Sequence, residues 1–300
     1  MRISEYRLQN NDINIRDPFV LVHDGKYYLY GTRAATCWGA ASGFDVYVSE
    51  DLKSWSEAIP CFENDGTFWA DQNYWAPEVH EWQGHFYMFA SFKADDICRG
   101  TAILRSDDPL GPFEPYSDGP VTPRDWECLD GTFYVSRDGH PYMIFCHEWV
   151  QVTDGEICAM PLTEDLKASA GEPSLLFKAT DASWVKPSIS GDGVTGYVTD
   201  GPFLWRSSGG NLFCLWSAYG DKGYVEALAL SDNGEIDGRF EQIEPLFEKD
   251  GGHGMIFRAF DGQLYLALHS PNSHGDEHPR FYPLKDTGDR LKLISFLNIS

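Results

Sequence analysis

Five times along this chain of 300 residues a short motif opens a stretch that reads as strand, turn, strand. The motifs are Arg16-Asp17-Pro18-Phe19, Ala76-Pro77-Glu78-Val79, Leu129-Asp130-Gly131-Thr132, Thr199-Asp200-Gly201-Pro202 and Gly252-His253-Gly254-Met255. Turns follow at Asp24-Gly25, Gln83-Gly84, Asp138-Gly139, Gly209-Gly210 and Asp261-Gly262, and each leads into an aromatic and aliphatic run such as Tyr27-Tyr28-Leu29-Tyr30. Anchored at Asp17, Glu78, Asp130, Asp200 and His253, successive repeats are 61, 52, 70 and 53 residues apart. A period of about 50 residues made only of strand and turn predicts a five-bladed β-propeller, with four-stranded antiparallel blades about a central axis. The repeat uses nearly the whole chain, so 1–300 reads as one all-β propeller domain. Further strands are expected at 44–48, 101–104, 156–160 and 224–230. The tail 291–297 alternates well enough to be a strand that helps close the ring against the N-terminal region.

If each blade starts at the axis, the five motifs converge from five parts of the chain. Three of them place an aspartate there: Asp17, Asp130 and Asp200. Carboxylates gathered in one concave site raise one another's pKa and divide into acid and base roles, as glycoside hydrolysis requires. The formal charge of −23 repels nucleic acid and anionic membranes, so the expected partner is neutral or a small molecule, which the carboxylate site narrows to a small carbohydrate. Seven scattered cysteines without a Cys-x-x-Cys pair point to reduced thiols and a cytoplasmic setting. The first residues show no apolar stretch of signal-peptide length, and no run approaches a membrane span.

Taken in order, Arg16-Asp17-Pro18, Trp75-Ala76-Pro77-Glu78, Leu129-Asp130-Gly131, Asp200-Gly201-Pro202 and the His253-Gly254 segment resemble glycoside hydrolase family 43 over essentially the full chain. The resemblance implies a five-bladed propeller that hydrolyses α-L-arabinofuranosides or β-D-xylosides by single displacement with inversion, without an organic cofactor. By position it implies Asp17 as general base, Asp130 as the residue that orients and tunes the acid, and residue 200 as general acid. This chain departs from the common pattern there, carrying Asp200 where glutamate usually precedes Gly-Pro. One methylene less shortens the reach by about 1 Å, a displacement that matters to catalysis. Glu226, Glu148 and Glu78 are the alternative donors, and a sugar-binding propeller that has lost its acid is the rival reading.

Several residues join these as substrate-binding candidates. Trp75 and Trp149 lie where strands meet the expected active face and suit the apolar face of a sugar, with Trp38 a third. Glu78 and Glu148 supply carboxylates, and Arg280 is placed to contact the acid or the substrate. His253, among glycines at the fifth blade start, lies where the resemblance puts a histidine over a central ion or water. A calcium ion at the axis is implied by the resemblance alone, and no protein ligand set is assigned to it. His269, His274 and His278 have no zinc spacing and read as a polar loop above the mouth.

Overall fold

Alternating apolar residues separated by glycine turns fold locally into antiparallel hairpins. The computed structural model describes residues 6–294 and assembles these hairpins into five sheets around an axis, a five-bladed β-propeller. Blade one comprises Ile15–His23, Lys26–Arg33 and Gly43–Ser49, with edge pieces Leu8–Gln9, Ser54–Trp55 and Ile59–Glu63. Blade two is Gln72–Trp82, His85–Ala94, Ile97–Ser106 and Glu114–Pro115, and blade three is Cys128–Val135, Pro141–His147, Glu156–Pro161 and Ser174–Lys178. Blade four is Asp200–Arg206, Leu212–Gly220, Gly223–Ser231 and Phe240–Phe247, and blade five is Gly252–Arg258, Leu264–Ser270, His278–Asp286 and Leu291–Leu293. The first hairpin turns at Asp24 (φ 42°) and Gly25 (φ 73°), both left-handed, the turn whose twist matches its strands.

All five inner strands break register at an equivalent point, between Arg16 and Phe19, Trp75 and Glu78, Leu129 and Thr132, Asp200 and Phe203, and Gly252 and Met255. One residue turns left-handed at each break: Asp17 (φ 54°), Ala76 (47°), Asp130 (57°), Gly201 (51°) and His253 (54°). This bulge corrects the alignment expected from spacing. The counterparts of Asp17 are Ala76 and Gly201; Glu78 lies two residues later and Asp200 one residue earlier.

A left-handed residue other than glycine costs about 1–2 kcal/mol, and its buried N–H still needs an acceptor. A side chain on the second strand of the preceding blade provides it. Ala76 N donates to Thr32 Oγ1 (2.7 Å), Asp130 N to Ser91 Oγ (2.8 Å) and His253 N to Ser217 Oγ (2.8 Å). Asp17 N donates to His269 Nδ1 (3.1 Å), carrying the pattern from the last blade back to the first. Register places Thr32, Ser91, Cys146, Ser217 and His269 at one equivalent site. Cys146 is the exception, and Gly201 N donates instead to Asp130 Oδ2 at 2.9 Å. His269 is therefore a fully buried strand residue, not part of a loop.

Ring closure also differs from expectation. Leu291–Leu293 is the outer strand of blade five, paired with Leu284 to Asp286, and 295–297 lie outside the described residues. The N-terminal segment closes the ring: Arg280 Nη1 donates to Asn11 Oδ1 (2.7 Å), His278 Nδ1 to Ile13 O (2.8 Å) and Asn14 Nδ2 to Glu277 O (2.8 Å). Between the blades lie apolar cores, one joining Trp216 and Ala229 of blade four to Ile144 and Phe177 of blade three.

Beneath His253, Glu226 Oε2 accepts from Ser217 Oγ (2.9 Å) and Gly254 N (2.8 Å), while Oε1 is buried without a partner. Burial pushes this carboxyl up to about 8. Two outcomes follow. Ser91→Ala strands the Asp130 N–H and should cost about 1–3 kcal/mol in urea unfolding. Because the folded pKa of Glu226 is raised, its stabilising contribution is full at low pH and is lost as pH rises through about 8. Glu226→Gln keeps the acceptor without that titration, so the wild type should lose stability relative to the variant between pH 5 and 8.5; parallel curves would contradict the assignment.

Candidate active site

Neighbouring side chains on a regular strand point to opposite faces, but a bulge re-aims one of them, so each blade can send two successive residues to the axis. Arg16 with Asp17, and Leu129 with Asp130, both line a cavity of about 640 Å³ on one face of the ring. Where the bulge residue is small, at Ala76 and Gly201, the preceding Trp75 and Asp200 line it; where the preceding residue is Gly252, His253 does. Gly201 has no alternative, because a Cβ there would stand 2.7 Å from His253 Cγ.

The floor carboxylates occupy different electrostatic environments. Burial alone would raise Asp17, but His253 (Nδ1 to Oδ1 3.2 Å), Arg16 and the Thr32 hydroxyl (2.6 Å) outweigh it and hold Asp17 below the ordinary carboxylate range. Burial and the negative charge of Asp17 push Asp130 well above that range, although Gly201 N partly stabilises its anion. Asp200 is pushed up to about 7, first by burial and then by Asp130, against a 2.8 Å hydrogen bond from Tyr224. Burial drives His269 down to about 3, so it is neutral. Nδ1 accepts from Asp17 N, which leaves Nε2–H for Asn272 Oδ1 at 3.1 Å.

Arg16, Lys93 and Arg99 also line the cavity, and each has an acidic partner: Glu277 (2.8 Å), Glu127 (2.8 Å) and Glu148 (3.3 Å). Arg99 lies 3.7 Å over the Trp75 ring, and Trp38 meets Trp75 edge-on at 5.4 Å. The segment 188–198, inside the long 70-residue step between blades three and four, forms a further wall. There Ser188–Ile189 pairs with Thr195–Gly196, and Gly196 lies so close to Trp149 that a Cβ would sit 2.8 Å from its ring. Trp38 and Ile189, 59% and 71% exposed, both face this cavity, an uncommon use of large apolar residues.

Of the residues singled out from sequence, the cavity brings together Asp17, Asp130, Asp200, Trp75, Glu148, Trp149, His253 and Trp38. Two others are corrected. Arg280 points to Asn11 at the ring closure, and Glu78 is buried beside the axis with Oε2 3.0 Å from His80 Nε2; neither lines the cavity. Glu226 is sealed beneath it. Reading the sequence missed Tyr224, Tyr219, Asn272, Lys93, Arg99 and Glu127. Among the described residues no group of three or more His, Cys, Asp or Glu side chains is arranged to hold a metal such as the implied axial calcium.

The chain is similar to known proteins in sequence and in fold. Residues 12–287 match the family described as glycosyl hydrolases family 43. An endo-arabinase structure from Bacteroides thetaiotaomicron is 40% identical, with TM-score 0.88 over 94% of this chain and 98% of that one. An extracellular exo-α-(1→5)-L-arabinofuranosidase of Cellvibrio japonicus is 22% identical over 86% of this chain and 79% of its own. An endo-1,4-β-xylanase structure from Bacteroides thetaiotaomicron shares the fold, with 24% identity and TM-score 0.77 over 96% of each chain.

Proposed function

Because this chain belongs to glycosyl hydrolases family 43, we propose that it cleaves α-(1→5)-linked L-arabinofuranosyl chains by single displacement with inversion. The observation that carries this reading is one cavity floor holding a depressed carboxyl at Asp17 and a raised one at Asp200. Such a pair supplies a base and an acid at the same pH. Asp17 takes a proton from water as its oxygen bonds to the anomeric carbon, while the bond to the leaving sugar breaks and that sugar's oxygen takes the proton of Asp200. Asp130 and Asp200 share one buried site and oppose each other's ionisation, which helps keep the donor protonated near neutrality. The pairing of Arg16, Lys93 and Arg99 with carboxylates supports a neutral sugar over phosphate or uronate. The 40% identity to an endo-arabinase supports arabinan over xylan.

Arabino-oligosaccharides should be hydrolysed with inverted anomeric configuration at the first product seen by NMR, and xylo-oligosaccharides much more slowly. The opposite preference would overturn the substrate, and a retained anomer the mechanism. Asp17→Asn should lower kcat by at least about a hundredfold on every substrate. Asp200→Asn should spare 4-nitrophenyl arabinofuranoside, whose leaving group needs little protonation, relative to arabinotriose; equal losses would remove Asp200 from the donor role. Asp130→Asn removes the ionisable neighbour that raises Asp200, so the alkaline limb of kcat/KM should move to lower pH.

A further inference from the structure

We infer that Tyr224 is the positioning residue for the proton donor: its phenol fixes the short Asp200 side chain and leaves the transferable proton on Oδ1. The inference rests on the proposed role of Asp200 and goes beyond it. Tyr224 lies on the third strand of the same blade, 1% exposed, with its hydroxyl 2.8 Å from Asp200 Oδ2. No other acceptor meets that hydroxyl among the described residues, so its proton points at Oδ2. The oxygen that already accepts a hydrogen bond is the poorer site for a second proton, which places the acid's own proton on Oδ1.

The ring itself is held. It stacks on His269 at 5.6 Å and 22°, and packs against Tyr219 at 5.2 Å. Asn272 Nδ2 donates to Tyr219 OH (3.0 Å), and Asn272 Oδ1 accepts from His269, whose Nδ1 holds Asp17 N. One packed cluster therefore references both the acid and the base to the backbone. This matters for a carboxyl one methylene shorter than glutamate, because an aspartate at this site gains reach only if its rotamer is fixed. The phenol keeps its proton, since burial and the charge of Asp200 raise it well above the ordinary tyrosine range.

The groups facing Asp200 are Asp130 and Cys146 from blade three, Asp17 from blade one, His253 from blade five, and Tyr224 and Tyr219 from its own blade. Of these, Tyr224 is the side-chain hydrogen-bond donor, and it favours the anion. Removing it raises the donor's pKa while loosening its aim.

Tyr224→Phe keeps the ring. It should lower kcat/KM on arabinotriose by about tenfold or more and on 4-nitrophenyl arabinofuranoside by less than about threefold, with the alkaline limb moving up by roughly half to one pH unit. Equal losses with an unmoved limb would mean a packing role and overturn the inference. Replacing Tyr224 by 3-fluorotyrosine keeps the fold and makes the phenol a stronger donor, so the limb should move down; an unmoved limb overturns the inference here too. If Asp200→Asn discriminates between the two substrates and Tyr224→Phe does not, the inference fails while Asp200 remains the donor. If Asp200→Asn fails to discriminate, the donor assignment falls with it.

Discussion

The hydrogen bond from each bulge N–H to a side chain of the preceding blade is the interaction on which this architecture rests. A propeller must bring five strand starts close to an axis too narrow for regular pleated backbone. The chain meets that constraint by turning one residue left-handed in every blade, which exposes a donor where water is scarce. Thr32, Ser91, Ser217 and His269 each accept such a donor from the next blade, so the acceptors that satisfy the bulges also join the blades into a ring. Contacts between apolar cores hold the blades together, but they do not specify which residue faces the axis. The bulges do.

Four of five sites follow this rule, and the exception coincides with the chemistry. A thiol at Cys146 is a poor acceptor, so Gly201 N turns to Asp130 and helps orient a carboxyl that burial and its neighbours would otherwise leave costly to ionise. His253 lies over Gly201, touches Asp17 and approaches Asp130 to 3.7 Å. The environments of Asp17 and Asp200 are thus set apart by a few backbone donors and one imidazole, placed by the same bulges. Residue 200 is an aspartate, and its side-chain hydrogen bond comes from Tyr224 on the third strand of the blade rather than from the motif.

Much of the fold could be read because its signals are local. Asp24-Gly25 and Gln83-Gly84 announce hairpins, and aromatic runs repeat at blade spacing. Asp17 and Asp130 were legible for the same reason. Asp200 was found but misaligned by one residue and Glu78 by two, because spacing does not reveal a left-handed bulge. The proline after the bulge, at Pro18, Pro77 and Pro202, was the available signal, with Gly131 and Gly254 in the blades whose next N–H is bonded to Thr101 and Glu226. Thr32, Ser91, Ser217 and His269 each follow an apolar run on the second strand, so His269 too was within reach of a stricter comparison. Tyr224 was not, because only the hairpin fold brings a third-strand residue back over the first. Arg280 was misread because nothing local distinguishes a cation at a pocket from one at the seam where Asn11 waits.

Two neighbouring positions per blade at the axis give ten sockets, and in four of the five blades the bulge N–H is held by a residue outside them. Here they hold arginine, tryptophan, leucine, three aspartates, alanine, histidine and two glycines. Exchanging Arg16, Trp75 or Leu129 leaves those four hydrogen bonds in place, whereas altering an acceptor such as Ser91 removes one; in blade four the two sets overlap, because Asp130 is itself the acceptor of Gly201 N and Gly201 has no room for a Cβ. A lineage built this way can diversify its chemistry by small steps, and a protein engineer can treat the two sets of positions as separate controls everywhere but at Asp130.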